Sequence, residues 1–307
     1  MEIITNTTDF YLEKETAAAL GKFDGVHIGH RRLLEEILAR GRERETASCV
    51  FTFDPVPAVF FGYSDGRELT TKKEKRLLFE RMGVDILIEF PLNERTAAIS
   101  PEDFAADVLA KRMNVRFLAA GTDLSFGAGG AGDVSLLRKL APELGFEIKT
   151  IDKVCLEGRE VSSTYIKSRV EAGDMREVER LLGAPYPVAG RVVKGNQLGR
   201  TLGFPTVNLL PEQDKLLPPN GVYYSKTRWR GKLYNSISNV GYKPTVSAEK
   251  VMGVETYLYD FDGTAYGEDI EVYLCEFRRP ERRFDGTDAL REQLKQDILA
   301  GADFFAF

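Results

Sequence analysis

The stretch Gly21–His30, GKFDGVHIGH, holds both histidines of a 307-residue chain. His27 and His30 follow an apolar run, TAAALGKF (16–23), and precede a helical pattern over 30–42 in which Leu33, Leu34, Ile37 and Leu38 share one face. Strand, glycine-bearing turn and helix in this order put the pair at the carboxyl end of a strand, where open α/β sheets bind ligands. A helix beginning near Gly29 offers unpaired N–H groups and the positive end of its dipole, which suits phosphate. Gly25 and Gly29 remove side chains where a phosphate would approach the backbone, and two imidazoles three residues apart could face one anion as donors. The plain alternative is that one histidine caps the helix and the other is a surface residue. Finding all of the chain's imidazole in one H-x-G-H favours the anion cradle.

Working outward, further apolar runs alternate with helical patterns up to about Gly183. The strand candidates are TASCVFTF (46–53), VDILIEF (84–90), VRFLAAG (115–121) and EIKTIDKV (147–154), with helical segments near 72–82, 101–112 and 133–144. This rhythm predicts βαβ units and a doubly wound parallel sheet, a Rossmann-like arrangement. GAPYPVAG (183–190) then punctuates the chain and predicts a boundary between a domain 1–183 and a domain 184–307. Beyond it, AGRVVKG, GVYYSKTRW, KLYNSISNVG, GVETYLYD and DIEVYLCEF are short, β-branched and aromatic runs separated by turn signals. They predict a small antiparallel β-barrel, followed by a helix over 287–300 with Leu290, Leu294 and Ile298 in one row. That helix is expected to pack on the barrel rather than to carry chemistry.

Composition narrows the function classes. A net charge of −5 gives no reason to expect a nucleic-acid or membrane binder, so phosphate chemistry must rest on local groups. Three scattered cysteines, Cys49, Cys155 and Cys275, argue against a disulfide framework or zinc site and for a reducing compartment. With no basic-then-apolar leader and no apolar run long enough to span a bilayer, a cytoplasmic protein is expected.

A second dense stretch is GNQLGRTLGFPTVN (195–208), where Gly195, Asn196, Gly199, Gly203 and Pro205 surround Thr206 and Asn208. In an extended segment positions i and i+2 point the same way. Two neutral oxygen ligands could thus approach one hard cation such as Mg²⁺, and a loop anchored by its proline is the alternative. GAGGAG (127–132) formally matches a dinucleotide fingerprint, but it follows the fourth apolar run rather than the first. A glycine loop over the active site fits it better, and no P-loop sequence occurs.

G-x-F-D-G-x-H-x-G-H resembles the phosphate-binding signature of the nucleotidyltransferase superfamily. Together with TFDPVP (52–57), GTDLSFG (121–127), VSSTYIKSRV (161–170), GRTLGFPTVN (199–208), VET (254–256) and RRPERRF (278–284), the chain resembles bacterial bifunctional riboflavin kinase/FAD synthetase (FMN adenylyltransferase). The resemblance implies that His27 and His30 contact ATP phosphates, with Phe23, Asp24 and Gly25 shaping their loop. It implies that Asp54, Thr122 and Asp123 line the adenylyl-transfer site, and that Ser162, Ser163, Thr164 and Lys167 face phosphate at another helix start. In the second domain it makes Glu255 the general base, puts Lys194 and Gly195 near ATP phosphates, gives Mg²⁺ to Thr206 and Asn208, and brings Arg279 to the flavin. The implied partners are riboflavin, FMN and ATP, with FAD as product; a homo-oligomer is compatible with the sequence. Two positions depart from the family's pattern: Lys167 stands where arginine is usual, losing the planar fork, and Ser125 where a basic residue often precedes Phe-Gly.

Overall fold

A computed structural model describes residues 1–195, 198–244 and 250–306, so Asn196 of the second stretch lies outside the described residues. The chain divides into two compact units, Met1–Arg67 with Lys75–Ser162, and Glu68–Glu74 with Ser163–Phe307.

The first unit is built on six parallel strands: β1 (Glu2–Thr5), β2 (Thr16–Leu20), β3 (Ala47–Asp54), β4 (Ile86–Pro91), β5 (Val115–Gly121) and β6 (Glu147–Ile151). Their order across the sheet is β1-β4-β3-β2-β5-β6. Every residue of β2 is buried, which is why it reads as an unbroken apolar run rather than an alternation. The two faces still separate by parity. Ala18, Leu20, Cys49, Phe51, Ile86 and Ile88 join one core with Phe104, Val108 and Leu137. Ala17, Ala19, Val50 and Leu87 join the other with Leu33, Leu34 and Ile37 of helix α1 (Ile28–Arg44) and with Phe79 of α2 (Lys72–Met82). Helices therefore cover both faces, as the rhythm predicts. β1 escaped the sequence reading because four half-exposed residues, EIIT, carry no periodic signal; it pairs along β4.

The glycine stretch 127–132 forms one 3₁₀ turn, Ala128–Gly130, between two paired two-residue strands. A Cβ at Gly127 or Gly132 would lie 2.7 Å from Pro101. Close packing accounts for these two glycines without a dinucleotide.

The second unit opens with α4 (Ser163–Glu171) and α5 (Met175–Leu182), numbered after α3 (Val134–Leu144) of the first. Six antiparallel strands follow: β7 (Tyr186–Val193), β8 (Val207–Pro211), β9 (Gly221–Trp229), β10 (Lys232–Pro244), β11 (Lys250–Leu258) and β12 (Asp269–Pro280). They close in the order β7-β8-β11-β10-β9-β12, with β12 returning to β7, so no strand edge is left open. Alternate residues on β9, β10 and β11 are all but fully buried, including Ser225, Thr227, Ser236, Ser238 and Thr256. Their hydroxyls form one chain, Thr227–Ser236–Ser225–Ser238–Thr256, with links of 2.8–2.9 Å. A hydroxyl both donates and accepts, so such a chain satisfies itself inside the barrel. The remaining alternate positions face outward, and among them Tyr224 stacks on Phe304 of the helix α6 (Thr287–Phe305) while Ile237 lies against its Gly301.

Candidate active sites

In the first unit the sheet order reverses between β2 and β5, and the loops leaving these two strands flank the crevice of a topological switch point. The β2 loop is bent hard to reach α1. Phe23, Gly25 and Val26 have φ of 50°, 86° and 44°, and only the glycine adopts such values freely. Phe23 and Val26 hold the bend because both are completely buried. His27 then takes extended geometry as the N-cap of α1, its Nδ1 accepting the His30 N–H at 3.3 Å. The plain reading of one histidine as a cap is thus half right, but the other is no surface residue. The His30 ring stacks on His27 with centroids 3.7 Å apart and an 18° tilt, and its far side meets Phe23 at 5.2 Å. Its Nδ1 is buried with no hydrogen-bond partner among the described residues.

Electrostatics sharpen the role. Burial pulls His27 down to about 4, outweighing the opposing pull of Asp24 and Asp123. Burial, aided by His27, also holds His30 well below the usual histidine range. Both rings are neutral near pH 7. Because Nδ1 of His27 accepts, its proton sits on Nε2, so the pair offers neutral donors rather than two positive charges.

The other expected residues of this unit fall at strand ends. Asp54 closes β3, beside β2 in the sheet. Thr122 and Asp123 follow β5; the Thr122 N–H donates to the Ile151 carbonyl (3.2 Å), and exposed Asp123 pairs with Lys153 at 3.3 Å. Asp24 is buried in the histidine loop, and a Cβ at Gly29 would lie 3.2 Å from the His27 ring. The Ser-Ser-Thr run falls at a helix start: Ser162 ends the first unit, while Ser163 and Thr164 open α4 of the second and Lys167 lies along it.

In the second unit the strand register assembles the site. Asn208 on β8 lies opposite Glu255 on β11, which lies opposite Asn239 on β10. These three residues share the outer face, since their neighbours Thr256 and Ser238 face inward. Thr206, two residues before Asn208, donates its hydroxyl to Glu255 Oε1 at 2.7 Å. Gly195 packs closely here: a Cβ would lie 2.5 Å from the Asn208 amide nitrogen and displace that side chain. Thr206 and Glu255 open on a cavity of about 590 Å³ whose other walls include Leu202, Phe204, Ile237, Tyr257, Asn239 and Arg279. Lys194 follows β7, exposed.

Helix α6 does more than pack. Leu290, Leu294 and Ile298, its apolar row, line the cavity and stay only half-buried. The face buried on the barrel is Gln293, Asp297 and Gly301. Neither Asn239 nor Asp297 was legible as a site residue. Asn239 sits in an ordinary alternating strand, and Asp297, between Gln296 and Ile298, reads as one more charge on a solvated helix face.

Among the described residues no cluster of three or more His, Cys, Asp or Glu could hold a metal. The Thr206 hydroxyl, the Asn208 amide and the Glu255 carboxylate are hard oxygen donors, however, and fit a hard cation that brings its own phosphate and water ligands. No helix among the described residues is long and apolar enough to cross a membrane.

Comparison with known proteins covers both halves of the chain. The FAD synthetase family matches residues 11–165 and the riboflavin kinase family residues 182–305. A bifunctional riboflavin kinase/FMN adenylyltransferase from Escherichia coli (strain K12) is 37% identical, over 93% of this chain and 91% of its own. One from Listeria monocytogenes is 33% identical over 98% and 96%. A crystal structure of a macrolide-efflux protein from Streptococcus pneumoniae superposes with a TM-score of 0.83, 29% identity and 97% of both chains covered. Two family models end to end and relatives above 30% identity along nearly the whole chain show that it belongs to the bifunctional riboflavin kinase/FMN adenylyltransferase family.

Proposed function

We propose that the barrel cavity is where riboflavin is phosphorylated and the β2–β5 crevice is where FMN is adenylylated, with residues 184–307 and 1–183 as the respective domains. The observation that carries the first assignment is the Thr206–Glu255 hydrogen bond at the mouth of a largely apolar cavity. Apolar walls suit an isoalloxazine ring, while the carboxylate suits its hydroxylated tail. Glu255 takes the proton from the terminal hydroxyl as that oxygen attacks the γ-phosphorus of ATP, and the bond to ADP breaks. The Thr206 hydroxyl orients the carboxylate for this. Lys194 and the Gly195 backbone face the ATP phosphates, and Arg279 meets the flavin. Thr206 and Asn208 would hold a Mg²⁺ arriving with ATP, which neutralises phosphate charge when bound.

In the crevice, His27, His30 and the first N–H groups of α1 receive the triphosphate, with Phe23, Asp24, Gly25 and Gly29 fixing the cradle. Asp54, Thr122 and Asp123 line the transfer site; the start of α4, with Ser162, Ser163, Thr164 and Lys167, offers donors suited to a phosphate. An oxygen of the FMN phosphate attacks the α-phosphorus of ATP, and pyrophosphate leaves. The nucleophile belongs to the substrate, so the protein's work is positioning and charge stabilisation. The scattered free cysteines suit a cytoplasmic location.

The test is a single incubation of the purified protein with riboflavin, ATP and Mg²⁺, with flavins separated by chromatography. FMN and FAD should both form. His27→Ala with His30→Ala should stop FAD formation and leave FMN formation largely intact; absence of both products from the wild type would refute the reading.

A further inference from the structure

Two consecutive residues of a regular strand point to opposite faces. Arg278 and Arg279 on β12 do not behave that way. Both reach the same carboxylate, Asp297 of α6: Arg278 Nε donates to Oδ1 at 2.9 Å, while Arg279 donates from Nε to Oδ1 at 3.1 Å and from Nη2 to Oδ2 at 2.6 Å. The register explains how. Against β9, Val222 pairs with Arg279 and Tyr223 with Phe277, so Arg278 is skipped as a β-bulge. A bulge re-aims side chains, and here it turns two guanidinium groups to one side. Asp297 itself is only 2% exposed and also accepts from Gln293, one turn back on its helix, at 3.0 Å.

We propose that Asp297 is a positioning residue for the barrel's flavin site, acting through Arg279, and that the bulge at Arg278 is the backbone device that makes this possible. The proposal rests on the reading of this cavity as the riboflavin site. Arg279 lines the cavity, and its fork is locked edge-on by the bidentate pair, so its guanidinium holds one orientation against whatever occupies the space. Arg278 is drawn the other way as well, donating to the Tyr224 hydroxyl at 2.7 Å, and so secures the far side of the carboxylate. Burial pushes the Asp297 carboxyl up, but the hydrogen bonds from Arg279 and Arg278 outweigh it and leave the group below its ordinary value. The same carboxylate fixes α6, whose Leu290, Leu294 and Ile298 form another wall, so one residue sets both the polar and the apolar side of the cavity.

Asp297→Asn keeps the shape and one acceptor but removes the charge and the second acceptor oxygen. In the phosphorylation assay the riboflavin KM should rise about tenfold while kcat changes less than about threefold, with the ATP KM unmoved. FAD formation from supplied FMN should be unaffected. Arg279→Lys should show the same signature, and the double variant should be no worse than the weaker single one, because both break one unit. A silent riboflavin KM, effects that multiply in the double variant, or riboflavin and ATP KM rising together would overturn the inference. Should Asp297→Asn fail to fold, Arg279→Lys decides alone, and an unchanged riboflavin KM refutes the proposal. A wild type that makes no FMN sinks the cavity assignment itself, whereas an active wild type with kinetically silent variants sinks only the role of Asp297.

Discussion

The depressed values of the histidine pair make a stability prediction that can be worked out in advance. His27→Asn keeps an oxygen able to cap α1, since asparagine is among the best N-cap residues, but removes the titrating ring. His27 is 8% exposed, so its shift is a property of the folded state with little solvent screening. Unfolded, the ring has its ordinary value of 6.5; folded, it is held at about 4. Between these values the unfolded chain binds more protons than the folded one, so stability is whole above pH 6.5 and is lost as pH falls through the window. For His27 alone the loss is about 2 kcal/mol on going from pH 7.5 to pH 5. His30, held down in the same direction, adds to it. Urea unfolding at the two pH values, read by limited proteolysis of peptides from β2 and α1, measures the difference. The wild type should lose about 2 kcal/mol more than His27→Asn over that interval, with the two within about 1 kcal/mol of each other at pH 7.5. Parallel losses in wild type and variant would show that the ring is not depressed and that the cradle is not built from neutral donors.

Three shorter expectations concern the barrel. Glu255→Gln should lower kcat for FMN formation about 10²–10⁴-fold while leaving FAD formation from supplied FMN alone; a fall below about tenfold would remove it as the base. Gly195→Ala would set a Cβ 2.5 Å from the Asn208 amide, so the Mg²⁺ concentration for half-maximal FMN formation should rise about tenfold or more, and an unchanged requirement would separate Asn208 from the metal. Ser238→Ala leaves Ser225 and Thr256 each one partner short inside the barrel, at a cost of about 1–3 kcal/mol. Unfolding followed by the fluorescence of Trp229, the chain's single tryptophan, would expose a variant that costs nothing.

The residues that were legible are those whose local pattern and role coincide. Strands β2 to β5 are apolar because both faces are covered, and the apolar run is itself the signal. His27 and His30 stood out because the chain has no other imidazole and because a strand-turn-helix order fixes where such a loop lies in an open sheet. Strand β8 was hidden for the opposite reason: Val207–Pro211 follows a glycine-rich stretch whose turn signals dominate, and the barrel's closure rather than its own propensity makes it a strand. Helix α6 packs on the barrel as expected, but not through its apolar row. An apolar row at every fourth residue ordinarily marks the face against the core. Here Leu290, Leu294 and Ile298 face a cavity, and the residues against the barrel are an amide, a carboxylate and a glycine. Periodicity marks an apolar face, and it does not tell a packed core from a cavity wall.

The same distinction bears on Arg278 and Arg279. Read along an alternating strand, one of the pair belongs inside and one outside, and only the bulge cancels that expectation. The bulge follows from pairing between β9 and β12, residues more than 40 positions apart, so no window on the sequence contains it. What makes it tolerable is Asp297: without a buried carboxylate to receive both, two guanidinium groups turned to one side would repel each other at the cavity wall. The bulge and the carboxylate therefore depend on each other. The first unit solves the corresponding problem without any ion pair, by desolvating two imidazoles until they carry no charge. The two units thus order their polar groups by different routes, desolvated imidazoles at a helix start and a guanidinium paired to a buried carboxylate beside a barrel cavity.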